Sequence, residues 1–280
     1  MKIKMMKTRI NIKKVILYSL LSIAALSFLY PFYWMLVASL SPNSEISGLV
    51  FLPSSFTLDN YQSMVAKIPI GRALVNSLLV AFLITGGVIL FCGMVGYALS
   101  RMEFRGRDAI FYIIIFTMTL PFQITLIPNY ITMVSLNLVD TYAALVLPFL
   151  LNSFAILLFR QAFKSIPQDL IDAARIDGCS EFRILFQILF PNILPTIIVV
   201  GILTFMSSWN EVLWPLIVIR DESLMTMPQM VTLFSVGGRA EGQLGVKLAA
   251  AVVLALPILV AYAFFQKYFI QSMASSGLKA

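Results

Sequence analysis

The chain has 280 residues, of which 60% are hydrophobic and 12% charged, with a mean hydropathy of +0.92. Long charge-free apolar runs at that composition exclude a water-soluble globular domain and indicate an integral membrane protein with several spanning helices. The net charge of +7 lies in short segments flanking the apolar runs, where it marks membrane orientation and offers no basic face for nucleic acid.

Six lysines and arginines precede the first apolar run: Lys2, Lys4, Lys7, Arg9, Lys13 and Lys14. The run, about 15–40, is longer than a signal-peptide core and ends in aromatics, which reads as an uncleaved first span. Residues 41–72 form a polar connection broken by Pro42, Pro53 and Pro69, with SSFTLDNYQSM leading into a short amphipathic surface helix. The second span covers about 73–100, and its glycines 86, 87, 93 and 96 permit close helix contact. A basic loop with Arg101, Arg105 and Arg107 follows.

The third span is expected at about 109–131, bent or broken by Pro121 and Pro128, with NYITMVSLNL as a loop or surface helix. The fourth falls at about 141–160, and a polar insert at 161–191 separates it from the fifth at about 192–219. After an outer loop from Arg220 to Lys247, the sixth covers about 248–267. With the N-terminus inside, fifteen of the twenty lysines and arginines fall on inner segments, so the expectation is six spans with both termini cytoplasmic.

The chain lacks histidine, which removes His-bearing catalytic triads and His-containing metal sites. No P-loop sequence, metal-ligand cluster or nucleophile–base constellation stands out. Cys92 lies in an apolar run and Cys179 in the insert, so both are read as free thiols. The expectation is therefore a non-catalytic chain that binds no cofactor or metal of its own.

Ionisable and amide groups within spans are the candidates for a solute path. Asn210 and Glu211, in SSWNEVLWP, are placed near the outer mouth of the fifth span. Glu211 equally reads as an interfacial carboxylate beside a belt formed by Trp209 and Trp214. Gln123 and Asn129 in the third span admit the same two readings.

The insert carries more pattern. Pro167 stops the preceding helix, and a short helix is expected over Gln168 to Asp177, closed by Gly178 in the left-handed conformation. Asp169, Asp172 and Arg175 share one face, and Leu170, Ala173 and Ala174 the other, where small side chains allow another surface to approach closely. Ser180 is a suitable N-cap for a second helix, in which Phe182, Leu185, Phe186 and Leu189 form an apolar stripe. These patterns describe a helix-turn-helix with one apolar face, suited to docking a partner or to lying on the membrane surface.

The order Asp172-Ala173-Ala174, three residues, Gly178, nine residues, then Ile188-Leu189-Phe190-Pro191 resembles the EAA signature of ABC importer permeases. Asp172 stands for the glutamate of that pattern, and Phe190 for its final leucine. ARIDGCSEFRI, WNEVLWPLIVI, MTMPQMV and the FFQKYFIQSMASSGLKA tail resemble the smaller, maltose-type permease subunit of sugar importers. The resemblance implies an all-α integral membrane protein of the type I ABC importer permease fold, in the bacterial cytoplasmic membrane.

It further implies partners: a second, larger permease subunit, a cytosolic ATPase dimer holding ATP-Mg, and an extracytoplasmic solute-binding protein. Asp172, Ala173, Ala174, Arg175, Asp177, Gly178 and Phe182 would contact the ATPase, with Ser275, Ser276 and Lys279 of the tail as a further contact. The solute expected is a sugar or oligosaccharide. Glycerol-3-phosphate or a polyol is the alternative within the family. An ion-coupled secondary carrier working through Glu211 is the alternative outside it.

Overall fold

The computed structural model describes residues 12–46, 51–236 and 243–277. Helix α1 (Ile12–Ser39) is followed by α2 (Asp59–Lys67), α3 (Ile70–Arg101), α4 (Arg107–Thr117), α5 (Phe122–Ser135) and α6 (Tyr142–Val146). A 3-10 turn, Leu147–Phe149, leads to α7 (Ser153–Lys164) and α8 (Gln168–Ile176). Next come α9 (Glu181–Arg183), a π-helical stretch Ile184–Leu189, α10 (Phe190–Asn192), α11 (Leu194–Trp209) and α12 (Leu213–Val218). After a 3-10 turn at Glu222–Leu224, α13 (Met227–Val236) and α14 (Leu244–Gly277) complete the described chain.

Among the described residues three helices are long and apolar enough to cross a membrane alone: α1, α3 and the Leu244–Phe264 part of α14. Three further candidates are bent pairs: α4 with α5 at 104°, the helix Tyr142–Phe149 with α7 at 49°, and Glu181–Asn192 with α11 at 87°. The first part of the last pair is the short limb that precedes the expected fifth span at about 192–219. The chain is thus an all-helical membrane protein, with six candidate spans when each pair is taken as one.

Each bend has a local cause. Pro121 sits at φ −66°, ψ 141° ahead of α5, and a proline disfavours helical geometry in the residue before it, here Leu120. Pro128 lies within α5 without ending it, and the segment after it, expected as loop or surface helix, continues as helix to Ser135. At the second bend Asn152 caps α7, its Oδ1 accepting from the Ala155 N–H at 2.9 Å. Helix α7 then runs past Arg160, the expected end of the fourth span, to Lys164. At the third bend Pro195 begins α11, where its missing N–H removes nothing the helix needs.

The chain divides into two compact units. The first comprises residues 1–67 and 234–253. In it, Asn60 of α2 donates to the carbonyls of Ser39 at 3.0 Å and Ser41 at 2.8 Å, clipping α2 to the open end of α1. Gly245 lies so close that an added Cβ would stand 2.6 Å from the Asn60 amide. The short helix expected from SSFTLDNYQSM is therefore present and braced.

The second unit, residues 68–233 and 254–280, packs α7 and α11 against α3. At Gly96 a Cβ would fall 2.6 Å from the Phe159 Cβ and 3.1 Å from the Arg160 backbone nitrogen, so α3 and α7 meet at backbone distance. Gly86, in contrast, faces open space. Phe159, Phe163 and Phe190 stack with ring centroids 6.2 Å apart, joining α7 to α10. Cys92 is buried; its Sγ receives the Asn152 N–H at 3.2 Å. Both cysteines are free.

The connection after Arg220, expected as loop, holds helix α13. Its buried Met227, Met230 and Val231 supply an apolar face within this short segment. Asn76 of α3 donates to the carbonyls of Ser223 at 3.0 Å and Met225 at 2.9 Å, and Ser77 Oγ accepts from the Met227 N–H at 2.7 Å. These polar positions inside an apolar helix fasten the connection to α3.

Candidate functional site: a braced hairpin and a polar cavity

The hairpin begins where Pro167, at ψ 138°, ends the preceding segment and sets the start of α8. It turns at Gly178, whose φ of 77° favours glycine because a Cβ crowds the following carbonyl there. The turn collects the free carbonyls of α8: Asp177, Gly178 and Cys179 N–H groups donate to Ala173, Arg175 and Ala174 at 3.0 Å each. Ser180 then caps α9 by accepting from the Arg183 N–H at 3.4 Å.

Charge holds the two limbs together. The Arg175 guanidinium donates to Glu181 at 2.9 and 3.3 Å and stands 3.7 Å from Asp172. Tyr97 of α3 donates its hydroxyl to the same Glu181 carboxylate. The Arg175 hydrogen bonds hold the Glu181 carboxyl below its ordinary range, with partial burial opposing them and the Tyr97 bond reinforcing them. Arg101, the last residue of α3, donates to the Phe163 carbonyl at 3.1 and 2.6 Å, to the Ile166 carbonyl, and to Gln168 at 2.7 Å. Arg160 donates to the Leu99 carbonyl at 3.2 Å and lies 3.7 Å over the Phe111 ring.

The two alanines of the signature divide. Ala174 is 6% exposed and, with Ile171, faces the chain's own core, whereas Ala173 is exposed. The face left open carries Leu170, Ala173 and Ile176, the last 87% exposed, joined by Phe182 at 64%. The expected face of Leu170, Ala173 and Ala174 is therefore rotated, because Ile171 supplies the larger apolar side chain to the core. The second limb also departs from the expected stripe: Ile184, Leu185 and Leu189 are buried, while Phe186 is exposed at 36%. The wider π turn brings residues five apart onto one side, which places Ile184 above Leu189. Among the predicted residues Asp172 and Arg175 are neighbours; Asp177 and Gly178 form the turn. Tyr97, Arg101 and Glu181 were missed, though Tyr97 and Arg101 are polar groups near the end of a long apolar helix.

A cavity of about 880 Å³ lies in the second unit. Gln123 of α5 and Glu211, between α11 and α12, both line it, together with Asn152, Ser207 and Phe154. Glu211 Oε1 accepts from the Trp214 N–H at 3.0 Å, which fixes the carboxylate at the first turn of α12. Trp214 is fully buried; it donates to the Ala144 carbonyl at 2.8 Å and meets Phe122 and Phe149 edge-on. Trp209 is also fully buried, with its indole on the Leu254 carbonyl at 3.1 Å. The two tryptophans are core residues and not an interfacial belt, because each indole N–H finds an internal carbonyl. Asn210 does not line the cavity; its amide donates to the Met206 carbonyl at 2.7 Å, closing α11. Asn129 is likewise absent from the lining. Ser275 and Ser276 fall in α14 with side chains outside the described set, and Lys279 lies outside the described residues. Among the described residues no cluster of carboxylates and thiols could hold a metal ion.

The family model for the binding-protein-dependent transport system inner membrane component matches residues 89–275. The chain is 35% identical over 256 residues to the arabinooligosaccharides transport system permease protein AraQ of Halalkalibacterium halodurans, covering 89% of this chain and 91% of that one. It is 30% identical to the lactose transport system permease protein LacG of Rhizobium radiobacter, over 96% and 97% of the two chains. Among solved structures, a chain of a bacterial ABC transporter involved in import of the acidic polysaccharide alginate superposes with a TM-score of 0.79. That match has 26% identity and covers 92% of this chain and 96% of the other.

Proposed function

Because the chain belongs to the family of binding-protein-dependent transport system inner membrane components, the non-catalytic permeases of ABC importers, we propose that it forms a sugar or oligosaccharide path with a second, larger permease chain. The arabinooligosaccharide and lactose permeases it is similar to support a carbohydrate solute. In this reading the hairpin faces the cytosol, both termini are cytoplasmic, and a soluble solute-binding protein delivers the solute on the opposite side. A cytosolic ATPase dimer holding ATP-Mg docks on the hairpin.

The observation that carries the coupling assignment is the hairpin's division of labour. One face is locked to α3 and α7 by Tyr97, Arg101, Arg175 and Glu181, while Leu170, Ala173, Ile176 and Phe182 remain uncovered. An apolar face on a rigid support suits a partner that must push on the spans as well as bind them. ATP binding biases the spans only if the ATPase contacts this face differently in its two states. Gln123 and Glu211 are assigned to the solute path because they line one cavity.

The test is reconstitution of the complete importer with Ile176→Asp and Phe182→Asp. Each should abolish ATP-driven uptake and weaken ATPase co-purification while the chain still inserts in the membrane. Undiminished uptake in both variants would remove the hairpin from the coupling path.

A further inference from the structure

The cavity that holds Gln123 and Glu211 has an unusual charge pattern. Glu211 is the single ionisable side chain among the described residues lining it, and neither lysine nor arginine is present there. The remaining polar lining is uncharged and includes Asn152, Thr204, Ser207 and Ser208. Glu211 is held in place, since Oε1 is committed to the Trp214 N–H at 3.0 Å. The buried Trp214 in turn is fixed to Ala144 and wedged edge-on against two phenylalanine rings. The carboxylate cannot swing away to relieve repulsion without unmaking that capping bond.

We propose that this cavity is an anion-rejecting passage, built for uncharged polyhydroxyl solutes, and that Glu211 sets the discrimination. The proposal rests on the reading of the cavity as part of the solute path, and it selects within that reading. Amides and hydroxyls both donate and accept, which matches sugar hydroxyls, whereas a phosphate or uronate needs cationic donors, and this chain contributes none to the lining. Two like charges about 8 Å apart, at an effective dielectric constant of about 20, disfavour occupancy by roughly thirtyfold. Open water in the cavity reduces this, so about tenfold is the expected discrimination. Neutral arabinose- or hexose-type oligosaccharides thus fit the passage, and glycerol phosphates and acidic oligosaccharides do not.

The test reads the local potential directly. Ser207 lines the cavity four residues before Glu211 and is exposed, so Ser207→Cys places a thiol in the same cavity as the carboxylate. The reconstituted complex carrying S207C is reacted with neutral, cationic and anionic methanethiosulfonates. Labelling of the parent complex is subtracted, and rates are normalised to those with a small free thiol. The anionic reagent should react at least about tenfold more slowly than the cationic one, and adding Glu211→Gln should bring the two within about twofold. Equal rates in S207C alone, a ratio unchanged by E211Q, or no labelling by any reagent would each overturn the proposal. ATP-driven uptake of a neutral oligosaccharide is followed in the same vesicles. Failure of uptake with the labelling ratio intact would count against the importer reading and leave the electrostatic one standing.

Discussion

Glu181 has two partners, Arg175 and Tyr97, within a few ångströms, and its behaviour with pH follows from them. Its carboxyl is held below the ordinary range chiefly by the Arg175 hydrogen bonds. A depressed folded-state value contributes stability above the unfolded value, near 4.5, and that contribution is lost as pH falls through the folded value. Protection of the α8 and α9 amides, after correction for the intrinsic pH dependence of exchange, should therefore hold from neutral pH down to about 4.5 and fall below it. Glu181→Gln should remove that acid transition. The pair is more than a third exposed and screened by water, so Arg175→Ala should change overall stability by less than about 1 kcal/mol. Its larger effect should be on uptake per ATP hydrolysed, since the brace is what ties the limbs together. At Gly178 the constraint is conformational: a φ of 77° with open space around it makes Gly178→Ala cost about 1 kcal/mol by strain alone. Thermal unfolding in detergent measures that cost.

Helix by helix, what can be read from sequence is decided by whether the signal is local. The Gly178 turn, the Pro167 stop and the Ser180 cap are each properties of a few adjacent residues, and all three appear where expected. Which alanine faces the core is not local: Ile171 and Ala174 turn inward to join the buried cluster that gathers residues from many helices. The π stretch is likewise imposed by packing, and α13 hides in a segment too short and mixed to show as a span. Glu211 and Gln123 were visible as polar groups in apolar runs, but only the fold places them on one cavity while turning Asn210 back onto its own helix. Close approach of α3 and α7 gives a sharper expectation. Gly96→Ala puts a Cβ 2.6 Å from the Phe159 Cβ and against backbone at Arg160. Neither atom belongs to the far end of a flexible side chain, so the helices must separate, costing about 1–3 kcal/mol. Asn152→Ala, which removes the α7 cap, should cost about 1 kcal/mol in the same assay.

For the whole molecule, the composition already required a membrane protein, and the EAA-type spacing singled out the hairpin as the candidate docking element. What neither could show is how the hairpin is attached. Arg101 gathers the carbonyls of Phe163 and Ile166 and the amide of Gln168, so no slack loop separates the hairpin's entry from α3. At the other end of α3, Asn76 and Ser77 hold the segment from Ser223 to Met227. A 32-residue helix is about 48 Å long, so one rod is pinned near both of its tips. A tilt of about 10° imposed at one tip then displaces the other by roughly 8 Å, given the rise per residue. In mechanical terms α3 is a lever with no free play. Loosening the remote pin with Asn76→Ala should blunt the stimulation of ATP hydrolysis by the solute-binding protein and spare the basal rate, even though the change lies a membrane's thickness from the hairpin.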